Sequence, residues 1–281
     1  MVDAVRGALP PLRDIIAAHG LDADKRLGQH FLLDLNLTAK IARAAGDLSG
    51  ATVIEIGLGP GGLTRALLDT NAGRVVAIER DARCIAALQP LVESASGRLS
   101  IIEGDALEID PAALAGAPRA IVANLPYNVA TPLLIGWLKQ IDAYRSLTLM
   151  FQREVALRLV AKPRSKDYGR LSVMTQWLTE PELLFDLPAR AFTPPPKVTS
   201  SVVRFVPRAH EKKEPGFDAM ERVVAAAFGQ RRKMLRAALR SLVSDPVPLL
   251  EKAAIDPTAR AEELNVDAFR RLAHFWEKAR G

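Results

Sequence analysis

Two periodicities divide the chain. Short apolar runs rich in β-branched residues fall at 52–56, 75–78, 99–102, 120–123 and 147–151. Between them lie stretches with apolar positions three and four apart, such as 63–68 and 82–92. Apolar strands alternating with amphipathic helices predict a mostly parallel sheet covered on both faces. Two further extended segments, 178–185 and 200–206, are placed to complete the sheet. From Phe217 onward the pattern changes, and MERVVAAAF, KMLRAALRSL and DAFRRLAHFWEKA carry helical spacing with no strand between them. The stretch PRAHEKKEPG at 207–216 has prolines, a glycine and charges but no apolar period, as a linker does. The expected organisation is an α/β domain at 1–206, a linker at 207–216 and a small all-helical domain at 217–281.

A length of 281 residues suffices for that pair of domains, and a 49% hydrophobic content leaves no room for a long disordered tail. The formal net charge of +6 favours a polyanionic partner, although an anionic membrane surface also fits. No apolar run reaches the 18 residues of a membrane span. The beginning, MVDAVRGALPPLRDII, breaks the apolar stretch that a secretory signal needs, so a cytoplasmic protein is expected. Cys84 has no second cysteine to pair with, and His19, His30, His210 and His274 are too scattered for a metal site.

The first predicted strand runs into Gly57-Leu58-Gly59-Pro60-Gly61-Gly62, which satisfies G-x-G-x-x-G before a helix. Glycines there allow a tight turn and close approach of backbone N–H groups to a ligand. Glu79 follows at the end of the next strand, where a carboxylate can accept from both hydroxyls of a ribose. A dinucleotide dehydrogenase and a methyltransferase both fit this much. The neighbouring acids favour the methyltransferase. Glu55, two residues before the first glycine, can organise the place of the amino-acid moiety of S-adenosylmethionine. Asp105, after the third strand, can accept from the adenine amino group of that cofactor. Glu55, Glu79 and Asp105 thus end three successive strands on the edge where open α/β sheets bind ligands.

Asn124-Leu125-Pro126-Tyr127-Asn128 follows the fourth strand. Adenine N6 is a poor nucleophile because its lone pair is delocalised into the ring. Two acceptors aimed at its N–H bonds, the Asn124 side-chain oxygen and the Leu125 carbonyl, can turn that lone pair toward a sulfonium methyl. Pro126 fixes the backbone, and Tyr127 offers a face for the base to stack on. Phe192, in the stiff segment AFTPPPKVTS, is placed to cover the other face of the base, with Lys197 near phosphate. Seven basic residues against two acidic ones lie in 145–170, and 228–244 holds Arg231, Arg232, Lys233, Arg236 and Arg240 with no acid. Two basic surfaces from different domains would suit a folded RNA backbone, with exposed adenines read as splayed bases.

With these motifs in order, the chain resembles the KsgA/RsmA family of ribosomal RNA adenine dimethyltransferases. The likeness begins at Lys25-Arg26-Leu27-Gly28-Gln29-His30-Phe31-Leu32 and continues through 55–64, 104–107, 124–128 and 192–200. It ends at Phe228-Gly229-Gln230-Arg231-Arg232-Lys233-Met234-Leu235-Arg236. The resemblance implies a Rossmann-like methyltransferase domain with a helical RNA-binding domain, and S-adenosylmethionine as cofactor. It implies cofactor contacts at His30, Leu32, Gly57, Glu79, Asp105 and Asn124, beside the loop candidate Gly59. It further implies dimethylation of two adjacent adenines near the 3′ end of 16S ribosomal RNA, on a 30S-like assembly intermediate, by a monomer. His30 departs from the family, standing where asparagine is common, and the loop GLGPGG lacks the earlier proline of many members. Two alternatives share the motifs: an Erm-type large-subunit ribosomal RNA adenine methyltransferase and a noncatalytic nucleic-acid-binding factor.

Overall fold

The computed structural model describes residues 9–21, 23, 28–209 and 215–280. Residues 25–27, which open the N-terminal motif, and 210–214, the middle of the expected linker, lie outside the described residues. The strands are β1 (Phe31–Leu32), β2 (Thr52–Ile56), β3 (Arg74–Glu79), β4 (Leu99–Glu103), β5 (Arg119–Ala123), β6 (Ser146–Gln152), β7 (Thr179–Leu187), β8 (Phe192–Thr193) and β9 (Ser200–Pro207). Seven of them form one sheet in the order β4-β3-β2-β5-β6-β9-β7, and β1 pairs with β8 separately. Strands β4, β3, β2, β5 and β6 are parallel, and β9 runs antiparallel to β6. The expected mostly parallel α/β sheet is what forms.

Chain direction decides where a site can lie. From β2 the chain steps outward to β3 and β4, then returns to add β5 and β6 on the other side of β2. The crossover loops therefore part at β2 and β5, leaving a crevice at the carboxyl ends of those strands. Alternate residues of the strands face opposite sides. Val53, Val75, Ala77, Ala120, Val122, Met150 and Val202 share one buried cluster with Leu48, Leu67 and Leu91 from the covering segments. The intervening Ile54, Val76, Ile78 and Ile121 are buried on the other face. Apolar positions without alternation are thus explained by cover on both sides.

Three features differ from the sequence-based expectation. The pattern at 82–92 folds as two helices, Ala82–Ala87 and Gln89–Ser94, because Pro90 cannot donate a backbone hydrogen bond to a continuous helix. Two helices between β6 and β7, Arg153–Leu159 and Arg170–Leu178, have no counterpart in the expected elements. Packing also divides the chain differently from 1–206 and 217–281: one compact unit runs to Arg153 and resumes at Glu182–Val206, and the other joins Glu154–Pro181 to the region from Pro207 onward. The cause is apolar. Tyr168, Val173, Met174 and Trp177 enter the same core as Met220, Val224, Leu235, Phe269, Leu272 and Trp276. Phe228 stacks on Phe269 at 5.6 Å and meets Tyr168 edge-on, while the Tyr168 hydroxyl donates to the Leu264 carbonyl at 2.9 Å.

Candidate active site at the carboxyl edge

A single cavity collects the loops that leave β2, β3, β4 and β5. Its wall includes Gly28, His30, Leu32, Ile56, Gly57, Gly59, Glu79, Asp105, Asn124, Leu125, Pro126 and Tyr127. Most of the residues named from sequence are thereby brought together.

On the cofactor side, the glycine loop is held by an acid. Glu79 is buried, and its Oε1 accepts from the backbone N–H groups of Arg80 and Asp81, each at 2.8 Å. Its Oε2 accepts from the Gly59 N–H at 3.2 Å. Oε2, with a single amide donor, keeps acceptor capacity for a ligand. Burial pushes the Glu79 carboxyl above its usual range, and the three amide donors pull it back. Asp105 accepts from Leu107 N–H at 2.9 Å and pairs with Arg80 at 3.2 Å. Gly57 has φ +76°, and no heavy atom stands within 4 Å of the place a Cβ would take. At Gly61, φ is +85° and a Cβ would come within 2.6 Å of Leu88, so only glycine closes this turn.

Glu55 is the exception. Strand periodicity sets it on the same face as Val53, under the helix Gly62–Leu68, while Ile56 faces the cavity. It does not line the wall. Neither carboxylate oxygen has a hydrogen-bond partner of good geometry. Burial pushes its pKa up to about 8, opposed by the Thr64 hydroxyl and reinforced by the charge of Glu79. Thr64 acts on it without a well-formed bond, since its own Oγ1 is also unpartnered.

On the opposite side, the Asn124 amide is oriented. Its Nδ2 donates to the His30 carbonyl at 3.3 Å, which leaves Oδ1 as the acceptor at the cavity. His30 is itself tied down, with Nδ1 at 2.8 Å from the Pro194 carbonyl and the ring tilted 32° against Tyr127 at 5.8 Å. A carbonyl only accepts, so Nδ1 carries the proton. The Tyr127 hydroxyl lies 2.6 Å from the Ser200 hydroxyl. Sequence reasoning misses both the Pro194 carbonyl and Ser200, because their roles depend on the pairing of β1 with β8 and of β6 with β9.

Two expectations fail here. Phe192 does not line the cavity: β8 pairs it with Leu32, and it is buried in the main core with Leu58 and Leu63. It therefore offers no second face to a base in this arrangement. Arg231 is not free for phosphate, because its guanidinium pairs with Glu262 at 2.6 Å and donates to the Lys166 carbonyl at 3.0 Å. That contact places Lys166 beside Arg231 within one unit, so the run 145–170 is split: Arg145 and Arg153 belong to the other unit, and the rest of it shares a unit with 231–236. Arg232, Lys233, Arg236 and Lys197 are exposed. Among the described residues, no group of three His, Cys, Asp or Glu is placed to hold a metal ion, and no helix is long and apolar enough to cross a membrane.

A sheet that reverses at β2, a glycine loop clamped by Glu79 and an oriented asparagine across the cavity make this a Rossmann-like methyltransferase. More narrowly, the chain belongs to the ribosomal RNA adenine dimethylase family, whose model matches residues 20–278. The Ribosomal RNA small subunit methyltransferase A of Rhodospirillum rubrum is 61% identical over 265 residues, covering 94% of this chain and 92% of the relative. The protein of the same name from Azorhizobium caulinodans is 60% identical over 277 residues, 97% of this chain and 95% of the relative. Among solved structures, a dimethyladenosine transferase from Plasmodium falciparum superposes with a TM-score of 0.76 at 25% identity, over 86% of this chain and 96% of that one. The 23S rRNA methyltransferase ErmE gives 0.66 at 28% identity, over 88% and 99%.

Glu55 yields a pH prediction. Its carboxyl ionises near 4.5 when solvated and near 8 in the fold, so between those values the folded state keeps a proton that the unfolded state has lost. Stability from this group is therefore full below about pH 4.5 and lost as the pH rises toward 8, by on the order of a few kcal/mol. Glu55→Gln removes that dependence. Urea unfolding of both proteins at several pH values should show a stability difference that shifts in favour of the variant as pH rises; parallel pH curves would contradict the assignment.

Proposed function

We propose that the cavity binds S-adenosylmethionine and that the chain dimethylates N6 of two adjacent adenines near the 3′ end of small-subunit ribosomal RNA. The substrate would be a 30S-like assembly intermediate in the cytoplasm, and the enzyme a monomer. One observation carries the reading: Asn124 is pinned through Nδ2 to the His30 carbonyl, which turns its acceptor oxygen toward the cavity. The residues fit the cofactor. Gly57 leaves open the space that a side chain would fill, Glu79 keeps acceptor capacity on Oε2 for a ribose hydroxyl, and Asp105 lies at the next strand end. When bound, S-adenosylmethionine supplies an electrophilic methyl on a sulfonium.

The chain then has to align and desolvate more than to move protons. Asn124 Oδ1 and the Leu125 carbonyl accept from the two N6–H bonds, turning the nitrogen lone pair out of conjugation. Pro126 holds that turn, and the Tyr127 ring carries the base. As positive charge develops on nitrogen, the same two oxygens stabilise it and take the departing proton's hydrogen bond on its way to solvent. Relatives named for the small subunit share about 60% of residues, against 28% for the large-subunit enzyme ErmE, which favours the small-subunit substrate. Arg232, Lys233, Arg236 and Lys197 would meet phosphates, with Arg231 bracing the surface from within.

Asn124→Ala should leave RNA affinity unchanged and slow single-turnover methyl transfer from labelled cofactor by about a hundredfold or more. Collapse of RNA binding with an unchanged rate per bound complex would make Asn124 a docking residue and overturn its assigned role. Arg232→Ala combined with Lys233→Ala should weaken RNA binding and reduce the slope of log affinity against log salt by roughly 0.7 to 0.9 for each phosphate that is no longer neutralised. Titrations at several salt concentrations check this; an unaltered slope would reduce the pair to a solvated surface.

A further inference from the structure

Ser200 opens β9. Because β9 runs antiparallel to β6, with Ser200 opposite Gln152, this first residue stands on the carboxyl edge where the parallel strands end. Its side chain is fully buried, yet its hydroxyl reaches the Tyr127 phenol oxygen at 2.6 Å. The backbone that carries it is fixed. The Arg153 N–H donates to the adjacent Thr199 carbonyl at 2.9 Å, and the register of β6 with β9 runs unbroken from Gln152 to Leu147.

Tyr127 is held less completely. It begins the helix Tyr127–Lys139, is half-buried and borders the cavity. A tyrosine ring has two torsions to fix. The His30 ring, tilted against it, limits motion on one side. The hydroxyl lies on the ring's long axis, so a bond there fixes the direction of that axis, while the His30 ring restricts rotation about it, and together they set the ring's placement. Both groups that set it, Ser200 and His30, are tied to the segment after β8: Ser200 follows that segment directly, and His30 bonds the Pro194 carbonyl.

We propose that Ser200 is a positioning residue for methyl transfer: its hydroxyl anchors the tip of the Tyr127 ring, so that the ring's long axis points where a stacked adenine presents N6 to Asn124. The proposal rests on the reading of Tyr127 as the stacking face. Ser200 touches no reacting atom. Without its bond the ring remains beside the cavity to bind the base but its tip can swing, so turnover falls while the RNA KM and the cofactor Kd hold. A hydroxyl pair that merely satisfied two buried polar groups would instead lower Tm on removal and leave kcat alone.

Ser200→Ala and Tyr127→Phe remove the bond from its two ends, and the second leaves β9 untouched should the first disturb it. Each should lower kcat about three- to tenfold, the effect expected of one neutral hydrogen bond at the reacting geometry, with KM unchanged. The double variant should be no slower than either single one, since both delete the same interaction. Tyr127→Ala serves as the reference, and it should slow transfer well beyond Tyr127→Phe. If Tyr127→Ala turns over at the wild-type rate, the stacking reading is overturned and the proposal with it. If Tyr127→Ala is slow but Tyr127→Phe and any folded Ser200→Ala keep the wild-type kcat, or their effects multiply in the double variant, the Ser200 proposal alone is overturned.

Discussion

Five parallel strands end on one edge of the sheet, and the site exists because of what happens to the backbone there. At the end of a strand the ladder of hydrogen bonds stops, and N–H groups of the loops need new partners. Between β2 and β3 the partner is Glu79, which gathers the amides of Gly59, Arg80 and Asp81. That one carboxylate fixes the glycine loop and the turn into the next helix together. A carboxylate with three amide donors tolerates burial, since hydrogen bonds to the charged form offset the missing solvation. Glu55 shows the contrast: buried at the end of the neighbouring strand without such donors, it holds its proton to about pH 8.

The same edge has two chemically unlike sides. Toward β3 and β4 the wall offers acids and open backbone, which suits a polar cofactor with a ribose and an adenine. Toward β5 it offers an oriented amide and an aromatic ring, which suits a base. Methyl transfer from a sulfonium is an in-line displacement, so most of the available acceleration lies in alignment. On the β5 side, Asn124 is bonded to the His30 carbonyl, His30 to the Pro194 carbonyl, and Tyr127 to Ser200. Under the proposed function RNA affinity would rest on exposed charge, at Arg232, Lys233 and Arg236 in one unit and Lys197 in the other, where geometry matters less and salt matters more.

How much of this is legible in the sequence depends on the range of the contacts involved. Local patterns read well. The strands of the sheet, the glycine loop, Glu79, Asp105 and the Asn124 to Tyr127 turn are defined by runs of neighbouring residues, and they meet at one cavity. Sequence puts Glu55 at the right strand end but on the wrong face, since two-residue periodicity from Val53 turns it away from the cavity. Phe192 escapes a correct assignment because its partner Leu32 is set by the β1–β8 pairing, which no local pattern announces. The expected domain boundary misses Glu154–Pro181 for a similar reason: Tyr168 and Trp177 join a core most of whose other residues lie far along the chain, from Ala219 to Trp276. Arg231 looks like its basic neighbours in sequence, but Glu262 and the Lys166 carbonyl claim its guanidinium.

Dimethylation of adenines in small-subunit ribosomal RNA can be read by mass-spectrometric mapping of methylated adenines in ribosomal RNA from the source cells with and without this gene. Two adjacent N6,N6-dimethyladenosines near the 3′ end of the small-subunit RNA should disappear when the gene is removed and return when the wild-type chain is restored. Persistence of both marks in the absence of the gene, or disappearance of a mark from the large-subunit RNA instead, would contradict the proposed activity.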